Sequence, residues 1–277
     1  MKNNSKPTNI RDALTFGTTL LRGRGIESAR LDTLLLLEHH LNASRAWLLS
    51  HPEGELHPEI SENFLRDLRK RSKQQPMAYI LGHKEFYGRN FIIEKSVLVP
   101  RPESEDVVEL ALLLAHKDKP LQVLDLGTGS GCLGITIQLE RPKWRVTLSD
   151  IDAVALGIAH KNARKFQIDN KVSYRRQDLL HSDTSPYDLV VANLPYVPSS
   201  IQSKPDLQAE PKIALFSGRD GLSHYRSLFS LLQRRKHHPL FLITESLTNQ
   251  HQQIENLAKP AGYTLKRTLG LAQLFIH

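Results

Sequence analysis

One turn constrains the fold of this 277-residue chain more than any other feature. The segment Val123-Leu124-Asp125-Leu126-Gly127-Thr128-Gly129-Ser130-Gly131 carries an apolar, strand-like run into three alternating glycines, and a helix-like stretch follows. Glycine accepts the φ > 0 conformations of a tight strand-to-helix turn and lets the backbone approach a ligand closely, while the helix start offers unpaired N–H groups. Such a turn is where an open parallel sheet binds a nucleotide-like group. The spacing here is GxGxG, with Cys132 standing where the dinucleotide fingerprint GxGxxG has its third glycine, which disfavours NAD and FAD.

Around this turn, apolar strand-like runs alternate with helical stretches from Leu121 onward, the pattern of a parallel sheet covered on both faces. The candidate strands are Val123–Leu126, Arg145–Ser149, Val172–Arg175, Leu189–Ala192, Leu240–Thr244, Tyr263–Lys266 and Leu271–Ile276. They predict a Rossmann-like α/β domain with a seven-stranded, mostly parallel sheet. Upstream, apolar residues at three- and four-residue spacing (Ile10, Ala13, Leu14, Leu20, Leu21, then Leu31, Leu34, Leu35, Leu41) predict a bundle of four or five helices. Ser28 is placed to cap one helix, and Pro52, Pro58 and Pro76 punctuate the later ones. Between these regions, Glu85–Val99 is β-rich and broken by Gly88 and Asn90, as in a hairpin. The expected division is a helical domain over 1–82, a hairpin linker over 83–100 and the sheet domain over 101–277.

Acidic residues follow two further strands. Asp150 ends the second strand of the sheet domain, 23 residues beyond Gly127, where a carboxylate can accept hydrogen bonds from two ribose hydroxyls. Asp152 is the less favoured neighbour. After the third strand, Asp178 is placed to accept from an adenine amino group, with Leu179 packing on the ring. Each acid alone is equally a helix cap, but the glycines Gly127, Gly129 and Gly131, with Thr128, Ser130, Asp150, Asp178 and Leu179, form an ordered set for a nucleoside cofactor.

Charge and composition narrow the partners less. The chain carries a net +8, which suits nucleic acid or an acidic protein equally. Its apolar runs, such as Leu34–Leu37 and Leu240–Ile243, are far short of the roughly 20 residues that span a bilayer, and Met1–Thr8 is polar, so a cytoplasmic protein is expected. The single cysteine excludes an internal disulfide, and the 13 histidines show no metal-ligand spacing; His39-His40 and His237-His238 are expected at the surface, and no metal is expected.

The fourth strand runs into Asn193-Leu194-Pro195-Tyr196-Val197-Pro198. On its own this could be a turn, since Asn and Pro are ordinary turn residues. It also resembles the (N/D)PPY motif of S-adenosylmethionine enzymes that methylate nitrogen in planar amides or exocyclic amines. Together with Gln75–Gly82, Glu85-Phe86-Tyr87-Gly88, Val97–Glu105, Glu210-Pro211, Ala214-Leu215, Gly218 and Asp220-Gly221-Leu222, the whole chain resembles the HemK/PrmC family of release-factor glutamine methyltransferases. The segment Pro100-Arg101-Pro102-Glu103-Ser104-Glu105 is similar to the release-factor form, whereas the ribosomal-protein glutamine methyltransferases show a PRSP-type sequence there.

The resemblance implies S-adenosylmethionine as cofactor, S-adenosylhomocysteine as product, and the glutamine of the GGQ tripeptide of peptide chain release factors as target. It further implies that the helical domain docks the protein substrate. It gives Asn193 and the Leu194 backbone carbonyl the role of accepting the two amide hydrogens, with Asn193 also bordering the cofactor, Pro195 stiffening the turn and Tyr196 holding the amide plane. Leu194 departs from the family's first proline, and Gln273 stands where an arginine is expected. Glu103 and Glu105 are read either as helix-start residues or as ligand contacts, and Glu210 either as a support for the loop over the glutamine or as a surface ion pair. The competing readings are a nucleic-acid amine (adenine N6) methyltransferase and a scaffold without activity. No direct nucleic-acid contact, no membrane and a monomer are expected.

Overall fold

The computed structural model describes residues 6–114, 120–201 and 209–277. The polar start and the long connection from Pro198 to Asp220 thus lie partly outside the described residues, at 1–5 and 202–208. The chain divides into two compact units, Met1–Gly82 and His83–His277.

The first unit holds α1 (Ile10–Arg22), α2 (Ala29–Leu41), α3 (Arg45–Ser50), α4 (Pro58–Arg71) and α5 (Met77–Leu81). In α1 the buried residues are Ile10, Ala13, Gly17 and Leu21, a single stripe at helical spacing. The stripe joins Leu36, Leu37, Leu48, Phe64 and Leu68 in one core. Pro58 occupies the first turn of α4, where its missing N–H costs nothing. Asn9 caps α1, its side-chain oxygen accepting from Asp12 N at 2.8 Å. Asn9→Ala is expected to remove about 1 kcal/mol of stability, seen as a lower denaturant midpoint at unchanged slope.

Two expectations for this unit are corrected. Ser28 precedes α2 but its backbone, at φ −78° and ψ 15°, is outside the extended geometry of a capping residue, and its hydroxyl donates instead to Asp32 at 2.8 Å. His40 is not at the surface: its side chain is 10% exposed and its Nε2 lies 3.0 Å from the Asp67 carboxylate. Periodicity sees only that His40 is polar, whereas the buried carboxylate opposite it comes from a different helix.

The second unit opens with a hairpin of β1 (His83–Phe86) and β2 (Arg89–Ile92), turning at Tyr87 and Gly88, both with positive φ. The strand-like composition reaches Val99, but β2 ends at Ile92. Next come α6 (Glu105–Leu112), β3 (Gln122–Leu126), α7 (Cys132–Glu140), β4 (Arg145–Asp150), α8 (Ala153–Lys165), β5 (Val172–Arg176) and β6 (Leu189–Ala192). The remainder is α9 (Lys212–Leu215), α10 (Ser223–Gln233), β7 (Phe241–Glu245), α11 (His251–Ala258), β8 (Thr264–Leu269) and β9 (Ala272–Ile276).

Among the described residues, β3 to β9 form one seven-stranded sheet in the order β5-β4-β3-β6-β7-β9-β8. The first five strands of that order are parallel, and β9 is antiparallel to both of its neighbours. The seven expected strands are therefore present and the fold class is as expected. Leu124, Leu126, Val190, Ala192 and Leu242 pack under Tyr225, Leu228 and Phe229 of α10 and Ile254 of α11. Alternate residues point to the other face, where a Cβ at Gly134 of α7 would come within 2.8 Å of Asp125 Oδ2. Every residue of β6 is buried, the signature of a parallel strand covered on both sides. Among the described residues, no helix is long and apolar enough to cross a membrane. His238, expected at the surface, stacks on His277 with ring centroids 4.2 Å apart.

Candidate active site

Strand order reverses between β3 and β6, and a crevice at the carboxyl ends of parallel strands is the expected consequence at such a point. A cleft of about 150 Å³ lies there. Gly127, Gly129, Asp150, Asp178, Leu179, Asn193, Leu194 and Pro195 all line it. A second hollow shares Asn193, Leu194 and Pro195 with the first and adds Arg101, Tyr196 and Leu215.

The glycine turn is built for this position. Gly127 N and Thr128 N both donate to Ser149 O at 2.8 Å, tying the turn to the end of β4. Gly129 N donates to Asp150 Oδ2 at 2.9 Å, so the loop and the acid expected to serve one ligand are locked together. A Cβ on Gly129 would meet nothing within 4 Å, whereas one on Gly131 would lie 2.7 Å from Ile135. Gly129 thus leaves open space for a ligand, and Gly131 allows tight packing of the turn on its helix. Thr128, Ser130 and Gly131 are not part of the cleft lining. The Thr128 hydroxyl donates to Asp125 at 2.5 Å, and Ser130 O accepts from Asn162 at 2.9 Å, so both support the turn from behind. A motif read as a string cannot separate residues that face the ligand from those that hold the loop.

Asp125 is buried and accepts from both Thr128 and Gly134 N; its burial raises the carboxyl pKa to about 6. Asp150 is raised as well, chiefly by burial, with the Asp152 and Gly129 N–H groups acting against this. Asp152 itself caps α8, accepting from Val154 N at 2.8 Å. Asp150 Oδ1 accepts from Asp152 N and Oδ2 from Gly129 N, and the carboxylate's four acceptor sites leave room for a ribose diol approaching from the cleft. With open space at Gly129, these residues fit the adenosine part of a nucleoside cofactor.

The Asn193–Tyr196 turn is held on all sides. Tyr225 OH lies between Glu245 O at 2.5 Å and Ala192 O at 3.0 Å, Gln250 Nε2 donates to Tyr196 O at 2.9 Å, and Val197 N donates to Leu215 O at 2.9 Å. Leu194, in the place of a proline, is 3% exposed and packs in the main core. Rigidity that a proline ring would supply locally comes here from burial. Asn193 Nδ2 donates to Ser104 Oγ at 3.1 Å, and Tyr196 OH donates to Glu245 Oε1 at 2.9 Å. Burial, reinforced by Glu245, pushes the Tyr196 hydroxyl far above its ordinary pKa, so it stays neutral.

The segment ahead of α6 is anchored by Glu210. Its carboxylate accepts from Val99 N at 3.0 Å and pairs with Arg101, and the residue is 5% exposed. This is a buried clamp, not a surface ion pair. Glu105 accepts from Tyr87 N at 2.9 Å, fastening the hairpin turn to α6, while Glu103 is exposed.

Residues 12–82 match the PrmC N-terminal domain model and residues 108–210 the methyltransferase small domain model. A release factor glutamine methyltransferase of Coxiella burnetii is 36% identical, over 90% of this chain and 92% of that protein. The chain belongs to the release factor glutamine methyltransferase family. Another member, from Koribacter versatilis, is 40% identical over 79% of each chain. The hMettl16 catalytic domain, solved in complex with MAT2A 3'UTR hairpin 6, shares the fold with a TM-score of 0.55 at 14% identity, covering 79% of this chain and 81% of that one.

In this release factor glutamine methyltransferase family member, three residues near the site were not among the candidate site residues, although Ser104 lies in the Pro100–Glu105 segment of the resemblance. Ser104 and Glu245 reach Asn193 and Tyr196 from a different helix start and a different strand. His224, at the start of α10, lines the cleft. Ser217 Oγ accepts from His224 N at 2.9 Å and lies 2.7 Å from His224 Nδ1. Burial lowers the His224 pKa and keeps the ring neutral.

Proposed function

We propose that this chain transfers a methyl group from S-adenosylmethionine to the side-chain amide nitrogen of the glutamine in the GGQ motif of peptide chain release factors. Asp150 accepts from the ribose hydroxyls, Asp178 accepts from the adenine amino group with Leu179 against the ring, and the His224 imidazole hydrogen-bonds the cofactor along the same cleft. The bound sulfonium supplies an electrophilic methyl group and leaves as S-adenosylhomocysteine.

An amide nitrogen is a weak nucleophile because its lone pair is delocalised into the carbonyl. Asn193 Oδ1 and the Leu194 carbonyl accept the two amide hydrogens, orient the lone pair in line with the methyl group and offset the positive charge that develops on nitrogen. The N–C bond forms as the S–C bond breaks, and the methylated nitrogen loses a proton to water. Tyr196, neutral and bound to Glu245, walls the substrate hollow and does not act as a base. The observation that carries this reading is the occupied Asn193 Nδ2, which leaves Oδ1 as that side chain's acceptor at the border of the two hollows.

The test is methyl transfer from labelled S-adenosylmethionine to unmethylated release factor, with a GGA variant and duplex DNA as parallel substrates. Label is expected on the release factor alone; label on DNA, or on the GGA variant, contradicts the reading. His224→Phe is expected to weaken cofactor binding about fivefold, the scale of one neutral hydrogen bond, with kcat at saturation little changed. Isothermal titration calorimetry checks this.

A further inference from the structure

We propose that Glu245, at the end of β7, is a positioning residue whose carboxylate holds the Asn193 amide with its oxygen turned toward the cleft. This rests on the reading above that Asn193 Oδ1 accepts from the target amide. Glu245 is 1% exposed, and only one of its oxygens is fully engaged: Oε1 accepts from Tyr196 OH at 2.9 Å, whereas Oε2 has no hydrogen-bond partner of normal geometry among the described residues. Ser104 and Asn193 lie against the same carboxylate, and Asn193 Nδ2 is 3.1 Å from Ser104 Oγ. A half-satisfied buried carboxylate is costly and calls for an explanation.

The chemistry of the neighbours supplies one. An ionised carboxylate accepts and never donates, so it favours the Asn193 rotamer with the NH2 group inward and Oδ1 outward. A protonated carboxyl can donate to Oδ1 instead, and the preference is lost. Ser104 does not fix the amide by itself, because a hydroxyl both donates and accepts. The ionisation of Glu245 therefore selects which end of Asn193 meets the substrate. The negative charge behind the NH2 group also polarises the amide and strengthens Oδ1 as an acceptor.

The groups facing Glu245 set the pH at which this happens. Burial raises its pKa most, the polar groups of Ser104, Tyr196 and Asn193 that face it lower it, and the charge of Glu103 raises it. Tyr196, Tyr225 and Cys132 feel the Glu245 charge and are themselves raised, so they remain neutral, and Arg101 lies on the Tyr196 side. The carboxylate is thus present at high pH and lost as pH falls through a midpoint above the ordinary glutamate value. Productive orientation of Asn193 follows the same course.

The test uses the full chain, first without cofactor or substrate. The side-chain NH2 signal of Asn193, identified by its loss in Asn193→Asp, is followed by 15N NMR against pH. It is expected to shift with a midpoint above the ordinary glutamate range, and to lose that shift in Glu245→Gln. In Tyr196→Phe, which removes a donor from the carboxylate, the midpoint moves higher. A flat wild-type titration, or a midpoint that falls in Tyr196→Phe, overturns the proposal whether or not Glu245→Gln folds. With release factor present, wild-type kcat should fall through the same midpoint, and Glu245→Gln should be about tenfold slower with no acidic limb, the scale of one lost charge-assisted hydrogen bond. An acidic limb retained in Glu245→Gln also overturns it. A normal NMR titration with no methyl transfer at any pH supports the positioning of Asn193 and rejects the substrate assignment.

Discussion

Asn193→Ala is expected to lower kcat for methyl transfer by about 10² to 10³, the range for removing one preorganised electrostatic partner of a transition state, while cofactor affinity changes only a few-fold. The split follows from position. Asn193 borders both the cofactor cleft and the substrate hollow, but its Nδ2 is engaged by Ser104 on the protein side. In the proposed reaction its remaining acceptor faces the nitrogen that becomes positive during transfer. Truncation leaves the Leu194 carbonyl as a single acceptor, so one amide hydrogen is unpaired and the amide plane can tilt out of line. Rapid-quench single-turnover measurements separate this from binding. A loss confined to KM would assign Asn193 to substrate binding alone.

The opposite split is expected for Asp150→Ala: cofactor affinity falls by at least about 100-fold, and kcat at saturating cofactor is less affected. Two effects combine. The ribose hydroxyls lose a carboxylate acceptor, at about 1.5 to 3 kcal/mol per charged hydrogen bond. The Gly129 and Asp152 N–H groups, which Asp150 accepts at 2.9 Å each, lose their anchor, so the glycine turn loosens beside the ligand. Asp150→Asn separates the two, because the amide oxygen can still accept one of the N–H groups; its affinity should fall between those of wild type and Asp150→Ala. The assay is calorimetric titration of each variant with S-adenosylmethionine.

What the sequence made legible was local in the chain. The Val123–Gly131 turn, the acid that ends β4 and the Asn193–Tyr196 turn are each short segments whose conformation and neighbours lie within a few residues, and the structure brings them to one cleft. The strands of the sheet were legible because parallel strands buried on both faces read as continuous apolar runs. What escaped depends on contacts between distant segments. Glu245 terminates an apolar strand, as an ordinary solvated acid would, and only the strand order β3-β6-β7 places it behind the Asn193 turn. Ser104 was legible only as part of the Pro100–Glu105 segment, and nothing local shows that its hydroxyl meets Asn193, 89 positions away. Glu210 stayed open between a loop support and a surface ion pair because nothing local reveals that Val99 N and Arg101 converge on it. Thr128 and Ser130 were read as cofactor contacts because spacing says which residues share a turn, not which side each presents.

The central claim is that the Asn193 turn presents a glutamine amide of a release factor to the methyl group of S-adenosylmethionine. The most direct measurement is tandem mass spectrometry of release factor incubated with this protein and S-adenosylmethionine, beside a reaction with Asn193→Ala. The account predicts one added methyl group, on the side-chain amide of the GGQ glutamine, in the wild-type reaction and almost none with Asn193→Ala. A methyl group on any other residue, or equal modification of the GGQ glutamine by both proteins, would contradict it.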